Sequence, residues 1–188
     1  MEQQIEEQDF NNINVLNHTF AKSYESCHFK NSNFSNANLK GILFIDCEFK
    51  ECDLSNANLS HTSFQNCNFT DCKMIGLLFN NCEPFAFSIS LNECILNHSS
   101  FFGMTLPKTN FQNSKLKEVD FSDADLSNSI FLNADLSGAI FQNTILAKAD
   151  FRNADNYSLD PENNILKGAK FSLLQISGLL DKYNITIE

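Results

Sequence analysis

Large apolar residues recur at every fifth position along most of this chain. One run extends from Tyr24 to Phe79 and a second from Leu91 to Phe151, giving 25 matches in two registers. A small residue (Cys, Ser, Thr or Ala) stands two positions before most of them. Five is neither the helical nor the strand period, so the chain must turn a corner once per unit if these residues are to point the same way.

A second period, four units long, gives the number of corners in one coil. Cys27, Cys47 and Cys67 recur at this interval, and the blocks SCHFKNSNFSNANLK and DCEFKECDLSNANLS align over it. Four units per coil predict a square-sectioned β-helix in which like side chains stack at the inter-strand spacing of about 4.8 Å. The predicted stacks are Phe101, Phe121 and Phe141 on one face and Phe111, Phe131 and Phe151 on the opposite face.

The repeat divides the chain into three parts. Residues 1–23 are expected to form an irregular N-terminal coil or cap. Residues 24–171 form the repeat, with a break near 80–90 and an irregular segment near 156–164. Residues 172–188 are expected to form a terminal helix and a short strand.

The break near 80–90 holds two aromatic residues outside the repeat register. The spacing from Phe79 to Leu91 exceeds two units by two positions, and Pro84 helps to interrupt the ladder. Phe85 and Phe87 are either exposed, as candidates for a contact with a partner, or tucked against the coil.

The segment 172–188 predicts a cap with a wide apolar surface. Ser172 and Gln175 fit the S-x-x-Q capping box, and a helix and the short strand ITIE would follow. A wide apolar surface on a terminal cap predicts an end-to-end dimer with two-fold symmetry. The candidate interface residues are Leu173, Leu174, Ile176, Leu179, Leu180, Tyr183, Ile185 and Ile187.

The repeat unit, seen in NANLS and ADLSN, resembles the A(D/N)LXX unit of the pentapeptide repeat proteins. The tail AKFSLLQISGLLDKYNITIE is similar to that of the topoisomerase-protecting members, which are the Qnr proteins, AlbG and McbG. The segments DNYSLDPENNILKGAKFSL, CKMIGLL and LNECIL resemble AlbG and McbG more than a generic repeat protein. The Qnr proteins of many Gram-negative bacteria carry two larger loops, whereas this chain has only the small excess after Phe79.

The resemblance implies an all-β fold, a right-handed quadrilateral β-helix with a C-terminal capping and dimerisation helix and a short strand. It further implies a dimeric acidic rod that binds DNA gyrase or topoisomerase IV where DNA would lie. Binding there would shield the enzyme from a poison, in antibiotic resistance or self-immunity. The alternative is a scaffold that binds an unrelated protein partner, because the repeat carries no function by itself.

The net charge of −10 agrees with a partial mimic of DNA and argues against direct binding of nucleic acid or anionic membranes. A rod of roughly 35 Å would have about half the charge density of duplex DNA. The alternative is that its outward Asp residues are solvated positions where the unit prefers Asp or Asn. The candidate topoisomerase-facing residues are Asp120, Asp125, Asp135, Asp150 and Asp155.

The sequence predicts neither an enzyme nor a cofactor or metal site. The Cys47–Cys52 and Cys67–Cys72 spacing is CxxxxC rather than CxxC, and these thiols occupy the small inward position. The four His residues are scattered, and neither HExxH nor G-x-S-x-G occurs. No signal peptide or membrane span is visible, so we expect a cytoplasmic protein.

Overall fold

The computed structural model describes residues 4–14 and 19–186, which form a right-handed quadrilateral β-helix of about eight coils. The predicted fold class is confirmed. The strands are two to four residues long: β1 Gln4–Glu6, β2 Asp9–Asn11, β3 Ser23–Glu25, β4 His28–Lys30, β5 Leu43–Ile45, β6 Glu48–Lys50, β7 Ser63–Gln65, β8 Cys67–Thr70, β9 Ile89–Asn92, β10 Asp150–Phe151 and β11 Lys170–Phe171.

Parallel pairing between successive coils holds the solenoid together. One sheet has the order β1-β3-β5-β7, a second β2-β4-β6-β8-β9, and β10 pairs with β11. Phe29 lies beside Phe49 at the predicted offset of four units, whereas the first coil is one position shorter and pairs Ile5 with Tyr24. Between β9 and β10 the coils pair through single parallel bridges such as Asn110 with Ile130.

The predicted aromatic stacks form the core after the break. Phe101 and Phe121 stack with ring centroids 5.4 Å apart, and Phe111 and Phe131 stack at 5.0 Å. Rings of the two stacks meet edge to face, as Phe111 and Phe121 do at 80°. Offset-stacked and edge-to-face pairs are both favourable, so the phenylalanines fill the interior without unfavourable ring contacts.

The corners depend on left-handed backbone at the second residue after nearly every large apolar residue of the repeat, Phe79 being an exception. About half of the non-glycine residues with positive φ are Asn, which together with Gly tolerates this region best. Asn side chains also bond from coil to coil, as when Asn133 Nδ2 donates to Asn113 Oδ1 at 3.0 Å. These two roles account for many of the 26 Asn residues of the chain.

The break between 80 and 90 is a single corner that contains two extra residues. The offset between coils rises by two positions, as between Lys73 and Ile95, and then returns to four units. A short 3-10 helix spans Phe79–Asn81, and Phe87 N–H donates to Pro84 O at 3.4 Å in the turn that follows. The columns of core residues resume after this corner.

Two 3-10 helices, Leu173–Leu179 and Asp181–Tyr183, form the C-terminal segment. The predicted capping box does not form, because Ser172 Oγ instead accepts a hydrogen bond from Asn153 N–H at 2.9 Å. Ile185 and Thr186, the described part of the predicted strand, have no strand pairing. Ile187 lies outside the described residues, as do 1–3 and 15–18 of the predicted N-terminal coil. None of the described helices is long and apolar enough to cross a bilayer.

The corner conformation can be tested at Asn128, which has φ 61° and an exposed side chain. We expect Asn128→Val to lower the free energy of unfolding by about 1–2 kcal/mol, because a β-branched side chain is disfavoured in left-handed backbone. Asn128→Gly is the matched control and should change stability by less than about 0.5 kcal/mol. Urea unfolding measures both. Equal stability of the two variants would contradict the role assigned to the corner residue.

Candidate functional site

The C-terminal segment exposes several large apolar side chains. Leu173 is 85% exposed and Leu174 is 91% exposed, whereas Leu179 packs on the core and Leu180 is half-buried. The apolar surface of the described residues is therefore centred on the start of the segment, with Leu179 serving mainly to attach it. The remaining exposed members of the predicted interface are Ile176, Tyr183 and Ile185.

This segment is fixed to the last coils by close packing and by an ion-pair cluster. Leu159 N–H donates to Gly178 O at 2.9 Å, and a Cβ at Gly178 would overlap Tyr157. Lys182 Nζ lies 2.6 Å from both Asp160 Oδ1 and Glu162 Oε2. The two carboxylates raise the pKa of Lys182, which stays charged. The exposed leucines are thus presented on an anchored segment.

The five predicted acidic residues do not share one face of the rod. The bridge between Asp135 and Asp155 places these two on the same face, as their spacing of four units predicts. Asp120 stacks with Ser100, Asp125 with Thr105, and Asp150 with Ile130, which are columns on the other three faces. A single flat contact cannot engage all five.

Four of these five carboxylates also support the corners. Each accepts the backbone N–H two residues later, as Ser122 N–H donates to Asp120 Oδ1 at 2.9 Å. Asx turns of this kind are made equally by Asn. The remaining members of this group are Asp125, Asp135 and Asp150. The Asp-or-Asn preference of the repeat therefore has a structural cause.

The carboxylates differ in how far their charge is neutralised. Arg152 Nη2 lies 2.7 Å from Asp150 Oδ2 and lowers the pKa of Asp150. Hydrogen bonds from Ser137 and Asn156 lower the pKa of Asp135. Asp120 and Asp125 have no cationic partner among the described residues.

The two aromatic residues at the break behave differently. Phe85 is 80% exposed, whereas Phe87 is partly buried and its ring lies 6.4 Å from that of Phe64, edge to face. Beside Phe87 runs a groove that the sequence did not lead us to expect, with Phe102 and Met104 on its other wall. The sequence does contain a signal for this groove. The residue after the large apolar residue is polar in most units, whereas after Phe101 it is Phe102.

The family model described as a pentapeptide repeat region matches residues 22–85 and 78–151. The chain belongs to the pentapeptide repeat family. The resemblance stated from the repeat unit is therefore confirmed at the level of the family.

Solved structures of QnrB1, a plasmid-mediated fluoroquinolone resistance protein, share this fold. One trypsin-treated variant of QnrB1 has a TM-score of 0.64 at 21% identity, covering 98% of this chain and 97% of that one. A second trypsin-treated variant also scores 0.64, at 20% identity over 100% of both chains. Full-length QnrB1 scores 0.58 at 20% identity, covering 97% of this chain and 100% of that one. No curated protein sequence matches this one.

The cysteines of this pentapeptide repeat protein are buried and form no disulfides. Cys52 Sγ donates to Phe29 O at 3.3 Å in the preceding coil, as Thr62 Oγ1 does to Leu39 O at 2.8 Å. Cys therefore serves as a weak donor in the small inward position. No group of three or more His, Cys, Asp or Glu able to hold a metal occurs among residues 4–14 and 19–186.

Burial makes these thiols poor nucleophiles. It raises the pKa of Cys47 from 9.0 to about 11, and the pKa values of Cys67 and Cys82 to about 12. At neutral pH we expect iodoacetamide to label them at least about a hundredfold more slowly in the folded than in the urea-unfolded protein, since the thiolate is the nucleophile. Peptide mass spectrometry measures each rate. Similar folded and unfolded rates would mean that the coils open on the labelling timescale.

Proposed function

We propose that this protein is a non-catalytic, dimeric, partial mimic of DNA that binds DNA gyrase or topoisomerase IV and protects it from a poison. The role would be antibiotic resistance or self-immunity. The observation that carries the proposal is the anchored apolar segment at one end of an acidic rod, with Leu173 and Leu174 almost fully exposed. QnrB1, which has the same fold over nearly its full length, is a fluoroquinolone resistance protein.

The C-terminal surface supports a homodimer with a two-fold axis. Burying a leucine side chain is worth about 1.5–3 kcal/mol, and a two-fold contact would bury Leu173 and Leu174 of both copies. Soluble monomers seldom expose large apolar groups side by side on an ordered element. The dimer would place two rods end to end, with Ile176, Tyr183 and Ile185 around the leucines.

The dimensions and charge support partial mimicry. About eight coils at about 4.8 Å give a rod of about 38 Å, so the dimer would be about 76 Å long. Duplex DNA of that length carries about 45 phosphate charges, and two chains at −10 carry a little under half as many. A basic DNA-binding surface would attract such a rod, but less strongly than DNA.

The alternative function is a scaffold for an unrelated protein partner. The turn hydrogen bonds favour it, because they explain Asp at positions such as Asp120 and Asp125 without any partner. Replacing Asp with Asn distinguishes a structural role in the turn from a charged contact with a topoisomerase. The Asn side chain keeps the hydrogen-bond acceptor of the turn but removes the negative charge.

The dimer is tested by placing charges in the exposed apolar surface. We expect Leu173→Arg with Leu174→Arg to convert the protein from dimer to soluble monomer, because four guanidinium groups would meet at the two-fold axis. Light scattering coupled to size exclusion measures the mass. Leu78→Arg, at a half-exposed leucine in the middle of the rod, is the control and should stay dimeric. A monomeric wild type would refute the end-to-end arrangement.

Protection is tested by gyrase supercoiling of relaxed plasmid in the presence of albicidin, a quinolone or microcin B17. We expect the wild type to restore supercoiling against one poison. Combined Asp→Asn exchange at 120, 125, 135 and 155 should weaken rescue at least about tenfold without lowering the melting temperature, because it removes the charge and keeps the turns. Rescue equal to wild type would show that these charges are not used. Absence of any effect on gyrase and topoisomerase IV would favour the scaffold.

A further inference from the structure

At the break, which contains two extra residues, one backbone N–H group lacks its hydrogen bond to the preceding coil. In the column that contains Thr105, the N–H groups of Ser63 and Asp125 donate to the preceding coil at 2.9 Å. Thr105 N–H has no such partner among the described residues, and Thr105 is exposed. In this column the preceding coil keeps its own bond, from Glu83 N–H to Thr62 O at 2.9 Å, and the irregular path Pro84–Ser88 follows directly after it.

Next to this free N–H lies the groove between the break and the following coil, which we call the join groove. It has a volume of about 270 Å³. Its apolar walls are formed by Pro84, Phe87, Phe102 and Met104, and Thr105 lies at one end. Phe102 is 49% exposed, and Phe85 and Leu78 are exposed nearby in the chain. The groove thus combines these apolar side chains with the polar residue Asn80 and the free backbone N–H of Thr105.

Three carboxylates lie one coil beyond the join groove. Asp120 stacks on Ser100 and Asp125 stacks on Thr105, so both are about 4.8 Å farther along the rod. Asp123 lies at the corner between them, and none of the three has a cationic partner among the described residues. On the other side, Glu83 is paired with His61 at 2.7 Å. Three unneutralised carboxylates therefore lie on one side of the groove, and the exposed cation Lys108 lies at the corner after Thr105.

We propose that the join groove receives an extended segment of the partner protein, in which a bulky apolar residue is followed by Lys or Arg. The apolar side chain lies between Phe87 and Phe102, a backbone carbonyl accepts the Thr105 N–H, and the cation meets Asp120 or Asp125. This inference rests on the proposed function, and the segment belongs to the surface of the topoisomerase.

Each part of the groove selects one part of that segment. Strand addition uses free backbone groups for affinity and side-chain pockets for specificity, and Thr105 supplies the free donor. Aromatic walls provide the well-packed centre typical of residues that dominate binding. The acidic rim selects a basic neighbour and disfavours an acidic one. A DNA strand is excluded as the occupant, since its phosphates would face these carboxylates.

The test uses substitutions that the fold already accepts in the same column. Phe102 stacks over Ser122 and Gln142, so Phe102→Gln should keep the stability and the dimeric state of the wild type. The double variant Phe102→Gln with Phe85→Ser removes both exposed rings. Ile130→Asn is the matched control, because Ile130 is 37% exposed on the opposite face and stacks on Asn110.

Binding of each full-length variant to intact gyrase and to topoisomerase IV is measured by biolayer interferometry, with melting temperature and mass checked for each. We expect Phe102→Gln to weaken binding at least about tenfold and the double variant to weaken it further, with Ile130→Asn unchanged. Wild-type affinity in both groove variants, or equal losses in Ile130→Asn, would overturn this inference and leave the proposed function intact. A wild type that binds neither enzyme would overturn both.

Discussion

Hydrogen bonding between coils in a constant register is the constraint on which the rest of the structure depends. Outside the first coil and the break, every position in the unit lies beside its counterpart four units away, as Phe29 lies beside Phe49. Ring stacks such as Phe121 on Phe141, and amide pairs such as Asn133 on Asn113, are consequences of that register. The solenoid is stabilised by repetition of the same local contacts, as expected when each repeat touches only its neighbours.

The same constraint links the acidity of the protein to its fold. An acceptor just before the central residue adds a hydrogen bond to the corner, and both Asp and Asn supply it, as Asp120 and Asn110 do. A larger share of Asp than Asn at this position adds negative charge without altering the backbone. The surface potential of the rod can therefore be set almost independently of its stability, within the limits of repulsion between like charges in adjacent coils.

Much of the fold could be predicted from the sequence, because the two periods fix which residues share a column. The assignment of the five acidic residues to different faces also follows from their numbers, because only Asp135 and Asp155 are four units apart. The cap at Ser172 could not be predicted, because its hydroxyl is taken by Asn153 from another coil. The join groove depends on the path of Pro84–Ser88, which no periodic pattern describes.

The corner with two extra residues has a consequence for how such a protein can change over time. Apart from the missing bond at Thr105, the columns continue across this corner, so Phe79 still stacks on Phe101 with ring centroids 4.4 Å apart. An insertion at a corner is thus absorbed locally, whereas one within a side would shift every later column. Corners are the places where related solenoids can acquire new loops and new specificity, while a common architecture survives extensive divergence in sequence.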